Sequence, residues 1–322
     1  KTYLADADGI LTEKTQLPTQ VVTGGHFQSD NQKDWYYYTA NGEKLTGWQN
    51  VDGVILYFDK DGKQVKGNFA ENGAYYDENS GVQVTNRYVN FNNNWYRIGA
   101  KGTPLKGAHV VDGHNVFFDQ DGKQIKGDFA SDGYYYSKNS GDRVDLGQNH
   151  YQNINNNWYY IGNDGKRLTG EQVIDGVKVY FTPYYGDQIK GDFNSDGQFY
   201  DKDTGELVTN RYIQLTRYES NGSMAPTLET HWYYLGADGK VVTGPQVIDG
   251  VRVYFNYRGH QAKGDFGYDG YYYDKDTGAL VKNSFVSLEQ PSGTLIYYLD
   301  NEGNTIKGEQ IINGKHLNFG EY

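Results

Sequence analysis

The stretch Trp158 to Arg211, WYYIGNDGKRLTGEQVIDGVKVYFTPYYGDQIKGDFNSDGQFYDKDTGELVTNR, is one period of a pattern that runs through the 322-residue chain. Its opening aromatics align with Trp35, Trp95 and Trp232, and with Ile296 at the head of a shorter copy, at offsets of 60, 63, 74 and 64 residues. A long period held this often outweighs any single residue as a guide to the fold. Inside it lies a finer pattern: an aromatic or aliphatic run, a polar turn ending in Gly, a Val or Leu, then Thr-Gly, Lys-Gly or Thr-Asn. Here the three modules are Trp158 to Gly170, Val179 to Gly191 and Gln198 to Asn210.

Each module predicts a β-hairpin, because aromatic and β-branched runs suit a pleated strand, while Asn-Asp-Gly and Asp-Thr-Gly supply residues that tolerate positive φ. Helical periodicity is absent. One two-stranded hairpin buries too little surface to stand alone, so its neighbours must provide the core. The expected fold is all-β, a β-solenoid of stacked short β-hairpins in repeated units. Residues 1–34 read as the end of a preceding repeat and a linker. The array occupies 35–322, in repeats 35–94, 95–157, 158–231, 232–295 and a truncated 296–322. It is cut at both ends, as expected of a piece of a larger protein. Repeat three carries 13 extra residues between Thr209 and Trp232. This polar insertion, around 218–230, predicts a surface loop or a lengthened hairpin.

Composition bounds the function. The 42 Gly and 32 Tyr against six Pro and one Met point to an interior of rings and small residues. A net charge of −11 with no basic stripe repels phosphate backbones and anionic lipid, so nucleic acid is excluded as a partner. No apolar run is long enough to insert in a membrane. The absence of cysteine removes disulfides and thiolate sites and suits an extracellular protein, secreted or cell-wall associated. The acidic residues lie mostly in turns, with no pair marked out for glycoside hydrolysis and no calcium-loop spacing. The seven His, His231 and His260 among them, lack metal-ligand spacing and read as incidental. No catalytic residue, metal or cofactor is expected.

Strand alternation sorts the rings. Counted back from each turn Gly, position 4 (Phe58, Ile98, Phe118, Ile161, Leu235, Phe255) is expected to face the interior. Position 3, which includes Tyr57, Tyr76, Tyr136, Tyr200, Tyr254 and Tyr273, is expected on the opposite, ligand-accessible face. Between modules one and two a polar trio recurs: Gln49, Tyr57 and Lys66; Gln172, Tyr180 and Lys190; Gln246, Tyr254 and Lys263. A flat ring with a few amide and ammonium groups suits a sugar, the ring covering a C–H face while Gln and Lys bond hydroxyls. The same residues also read as packing material and solvated turns, because a repeat copies scaffold and site alike.

The motif Thr-Gly-x-Gln-x-Ile-x-Gly-x-x-Val-Tyr-Phe followed by Gln-x-Lys-Gly, seen in Thr169 to Phe181 with Gln188 to Gly191 and in Thr243 to Phe255 with Gln261 to Gly264, is similar to the repeats of the glucan-binding domain of glucansucrases. That resemblance implies a solenoid beside a covalently linked catalytic domain, with pockets for glucosyl units. The implied partner is an α-glucan polysaccharide or isomalto-oligosaccharide. It places Gln172, Tyr180 and Lys190 in one pocket with a stacking Tyr136, and Gln246, Tyr254 and Lys263 in another with Tyr200. Repeat one offers Gln49, Tyr57 and Lys66 but has Leu4 at the stacking position. Repeat two has His109 for Gln and Phe117 for Tyr, and the truncated repeat has Asn318 for Tyr and no Lys. Choline-binding repeats of cell-wall proteins and the repeats of clostridial toxins share the Trp-Tyr-Tyr pattern. Choline recognition favours several tryptophans around the cation, whereas Gly-Trp occurs here only at Gly47-Trp48. A purely structural spacer is the third reading.

Overall fold

The computed structural model describes residues 3–5, 11–13, 18–30, 33–220, 225–291 and 293–320. Thr2 and Asp6 to Gly9 of the opening stretch, and Gly222 of the insertion, lie outside the described residues. Every named element is a strand, as the all-β reading expects. Among the described residues no helix is long and apolar enough to cross a membrane. The chain forms two compact bodies, Lys1–Tyr151 with Tyr160–Arg167, and Gln152–Tyr159 with Leu168–Tyr322.

The hairpins turn at a place the aromatic pattern does not announce. Gly47–Val51 pairs antiparallel with Val54–Phe58, Gly107–Val111 with His114–Phe118, Gly170–Ile174 with Val177–Phe181, and Gly244–Ile248 with Val251–Phe255. Each pair closes through Asp-Gly with both residues at positive φ, for example Asp52 at 48° and Gly53 at 90°. Two successive positive φ values match the twist of the flanking strands. The turns read from sequence as hairpin loops, such as Asp59 to Gly62, are instead held by the Asp59 carboxylate, which accepts from the N–H groups of Asp61 and Lys63, and they return to the strand through a single bridge, Phe58 to Gln64.

A second set of hairpins carries each Trp on its later strand: His26–Asp30 with Asp34–Tyr38, Arg87–Phe91 with Asn94–Ile98, and Arg211–Glu219 with Thr227–Leu235. Residues 18–34, expected to be linker, therefore include a strand of repeat one, and Val21–Val22 pairs in parallel with Asn50 and Val51. The 218–230 insertion lengthens a hairpin, whose strands reach nine residues against five in the first two repeats.

Successive hairpins are joined at corner residues in the left-handed region, Gly47, Gly67, Asn86, Gly107, Gly127, Gly170, Gly191, Asn210, Gly244, Gly264, Asn283 and Gly308, with φ between 46° and 78°. These are the Thr-Gly, Lys-Gly and Thr-Asn signals of the sequence, with Lys-Asn at Asn283, and Gly takes this conformation at little cost, Asn and Asp at less cost than other residues. One backbone bond recurs between modules: the N–H of Gln64, Gln124, Gln188 and Gln261 donates to the carbonyl of Trp35, Trp95, Trp158 and Trp232 at 2.7 to 2.8 Å.

Within each body the interior is built of rings and branched chains, one per module. Phe58, Ile98, Phe118, Ile161, Leu235 and Phe255 are all fully buried, as expected for position 4. The tyrosines of module three correct the count for position 3. Tyr76, Tyr136, Tyr200 and Tyr273 are 0 to 2% exposed and belong to the interior row. Their turns, such as Asp77 to Gly81, are one residue longer than Asp59 to Gly62, so counting back from Gly slips by one, and a one-residue slip exchanges the faces of a strand.

Candidate ligand-binding groove

Alternation along Asn94–Ile98 turns Tyr96 and Ile98 inward and leaves Trp95 outside. The same holds for Trp35, Trp158 and Trp232, and the four indoles are 36 to 43% exposed. Beside each lies the lysine of Gln-x-Lys-Gly. Lys66, Lys126, Lys190 and Lys263 place Nζ 5.4 to 5.7 Å from the ring centroids of Trp35, Trp95, Trp158 and Trp232. Each ammonium also donates to a carbonyl of the module-three turn, at Asn79, Asn139, Asp203 and Asp276, over 2.7 to 3.3 Å.

The Gln of Gln-x-Lys-Gly lies under that turn. Gln64, Gln124 and Gln261 donate Nε2 to the carbonyls of Ser80, Ser140 and Thr277 at 3.3 to 3.5 Å. A Cβ on Gly81, Gly141, Gly205 or Gly278 would push aside the amide of Gln64, Gln124, Gln188 or Gln261, and the positive φ of these glycines would strain any other side chain. Gln188 is buried, and among the described residues its Nε2 has no hydrogen-bond partner. The turn itself is organised by an acid. Asp201 accepts from the N–H groups of Thr204 and Asp203 and from Arg211 Nη2 at 2.9 Å. These donors, the Thr204 N–H foremost, lower its pKa to about 2.

In repeat two the exposed Trp, the Gln-x-Lys pair and the Asp-Gly hairpin enclose a cavity of about 350 Å³. Trp95, Tyr88, Val111, Val116, His114, Gln124, Lys126 and Asp142 line it. His114 Nδ1 lies 3.1 Å from Asp142 Oδ1. An apolar floor, two aromatic walls and a few fixed donors form a shallow polar-rimmed cleft, the kind of site that takes a small polar ligand.

Several sequence expectations change here. Hairpin register sets Gln49 opposite Leu56 but Tyr57 opposite Trp48, Gln172 opposite Val179 but Tyr180 opposite Glu171, and Gln246 opposite Val253 but Tyr254 opposite Pro245. Gln and Tyr of each trio therefore point to opposite faces, and the trio does not form one pocket. The tyrosines pack inward on module three, with centroid distances of 5.9 Å for Tyr57 and Tyr76, 5.8 Å for Tyr180 and Tyr200, and 5.8 Å for Tyr254 and Tyr273.

Tyr136 and Tyr200, expected as open stacking platforms, are core residues. Tyr136 donates to Asp132 at 2.7 Å, and its pKa is raised by burial first and that bond second. Burial also pushes Tyr200 up to about 12. Gln49, Gln172 and Gln246 donate Nε2 to the carbonyls of Thr46, Thr169 and Thr243 at 2.6 to 2.8 Å, and His109 places Nε2 2.9 Å from the Lys106 carbonyl in the same role. They share the hairpin face that floors the groove. Sequence reasoning used the tryptophans only as register marks and passed over Lys126 and the Gln of Gln-x-Lys-Gly. Strict Trp recurrence just before a buried position was the available signal.

The choline-binding repeat family matches residues 45–88, 105–145, 168–212 and 242–285, just over half of the chain. The chain is 38% identical over 282 residues to Glucosyltransferase-S of Streptococcus mutans serotype c, which covers 83% of this chain and 18% of that protein. It is 34% identical over 283 residues to Glucosyltransferase-I of Streptococcus downei, covering 83% and 16%. The resemblance read from the Thr-Gly-x-Gln motif is borne out by these identities. The chain spans less than a fifth of the length of the curated relatives it matches. Among solved structures it is similar to choline binding protein F from Streptococcus pneumoniae, at 22% identity and a TM-score of 0.39 over 88% of this chain and 99% of that one. It is also similar to an alternansucrase in complex with isomaltononaose, at 25% identity and a TM-score of 0.21 over 83% and 19%.

Proposed function

Because the chain belongs to the choline-binding repeat family and shares its repeats with glucosyltransferases, we propose that it is a non-catalytic carbohydrate-binding module. Its ligand is an α-glucan, polysaccharide or isomalto-oligosaccharide, and it works extracellularly, linked to a catalytic domain that uses sucrose. The observation that carries this reading is the exposed Trp with a tethered Lys, repeated four times. An indole face covers the C–H face of a pyranose, and a Lys ammonium has three donors, of which the turn carbonyl takes one. Lys66, Lys190 and Lys263, singled out in the sequence, stand at the ligand together with Lys126. Gln49, Gln172 and Gln246 border the same face. Tyr57, Tyr180 and Tyr254, with Tyr136 and Tyr200 behind, hold the hairpins that present it.

The same pair argues against choline. The lysine ammonium already stands over the indole, 5.4 to 5.7 Å from its centroid, so a quaternary ammonium brought to that ring meets a like charge. The family's choline chemistry is therefore the weaker reading for these sites, and a spacer has no use for four exposed indoles. Affinity electrophoresis in gels containing dextran tests the proposal: retardation relative to a dextran-free gel supports it, and unchanged mobility refutes it. Adding choline to the gel should leave the retardation as it is.

A further inference from the structure

The lengthened hairpin of repeat three brings together residues that are scattered in sequence. In repeat one, Asp34, the residue before Trp35, forms an ion pair with Lys63, the residue after the turn Gly62, at 2.5 Å. The corresponding residues around Trp232 and Gly259 are His231 and His260. An attractive pair has been exchanged for two imidazoles, stacked with centroids 3.7 Å apart and planes at 8°. The extra residues then carry Glu219 to them. Its Oε1 lies 3.0 Å from His260 Nε2 and 4.0 Å from His231 Nε2. Glu229 Oε2 lies 3.0 Å from His231 Nε2, and Arg258 Nη1 holds the other oxygen of Glu219 at 3.2 Å.

We propose that Glu219, His231 and His260 bind a divalent transition metal of the zinc class, with Glu229 as a fourth donor. The three ligand groups already lie within 4.8 Å of one another. Zinc bonds of 2.0 to 2.2 Å at tetrahedral angles separate donors by about 3.3 to 3.6 Å, so small closures suffice, with a turn of one imidazole about its Cβ–Cγ bond to converge the lone pairs. Imidazole nitrogens with carboxylate oxygens favour zinc, nickel or copper over calcium and magnesium, which take oxygen alone.

The side chains of His260 and Glu219 are only 11% and 12% exposed. A bound metal would staple the tip of the hairpin to the module-two turn of repeat four. The ligands stand 12 and 29 residues apart in sequence, so no local motif announces them.

The test uses the untagged chain, stripped by a chelator and titrated with Co²⁺ and then Zn²⁺. The expected result is the visible absorption of four-coordinate Co²⁺ saturating at a single equivalent, its displacement by Zn²⁺, and a higher melting temperature with Zn²⁺. His231→Ala and His260→Ala should each weaken binding at least about tenfold, as even outer-shell changes at metal sites cost that much. His109→Ala should bind as the parent does. A parent chain without the Co²⁺ spectrum overturns the proposal, as do His231→Ala and His260→Ala variants that bind like the parent. Should those variants fail to fold by circular dichroism, Glu229→Gln and the parent spectrum decide: a parent without the four-coordinate bands refutes the site.

Discussion

Lys263 Nζ stands 5.4 Å from the centroid of the Trp232 ring while donating to the Asp276 carbonyl at 2.7 Å, so the ammonium is fixed beside the indole at the turn of the following hairpin. The two groups make separable contributions. Trp232→Ala removes the stacking face, and Lys263→Met keeps most of the stem but removes the charged donor. Calorimetry with isomaltotriose should show Trp232→Ala abolishing binding at that repeat and Lys263→Met weakening it by about tenfold, the share of one hydrogen bond to a charged group. Unaltered affinity in both would remove the pair from the ligand site.

The tyrosines of module three should matter for folding and not for sugar. Tyr200 is fully buried, and Tyr200→Ala is expected to cost about 3 to 5 kcal/mol in urea unfolding, the range for truncating a buried aromatic. Tyr136→Phe loses the bond to Asp132 and should cost about 1 kcal/mol. Retention of Tyr136→Phe in a dextran gel should equal that of the parent; a loss of retention would return Tyr136 to the binding surface.

Several weak sites on one chain should favour polymer over oligosaccharide. Where geometry lets one glucan reach two grooves, effective affinity rises by about 10² or more. Long dextran should therefore compete far better per mole than isomaltotriose in a displacement assay, and equal competition would mean that the sites act singly.

Acid should unlock the module-three turns. Asp201 has a folded pKa of about 2 against an ordinary value of 3.8. A depressed carboxylate pKa means stability that is present above the ordinary value and lost as pH falls from about 4 towards 2. Asp201→Asn should cost about 1 kcal/mol at pH 7, discounted for partial exposure, and nothing once the parent's Asp201 is protonated. Urea unfolding at both pH values checks this; a mutant gap that persists in acid would show that the turn does not depend on the charge.

Much of the fold was legible because the repeat prints the same instruction several times. The interior row of Phe58, Ile98, Phe118 and Phe255 follows from alternation alone. What was missed turned on single residues of spacing. Asp52-Gly53 outranks Asp59 to Gly62 as a hairpin turn because its two positive φ values follow strand twist. The longer turn after Tyr76 shifted that ring by one place and so to the other face. The site was half legible: Lys66, Lys190 and Lys263 stand at the exposed tryptophans, but the register that separates Gln172 from Tyr180 is a property of pairing and not of the motif. His231 meeting Glu219 and His260 depends on a pairing between distant segments that no spacing rule reports.

The left-handed residue at each corner has a bearing on how such a chain changes over generations. Every junction from Gly47 to Gly308 uses one backbone state, supplied by Gly or Asn. A recombination event that gains or drops a whole period meets the same joint on both sides, so the number of grooves can drift while each groove keeps its shape. Grip on a polymer then becomes a quantity set by gene length, adjustable without altering a single contact inside a repeat.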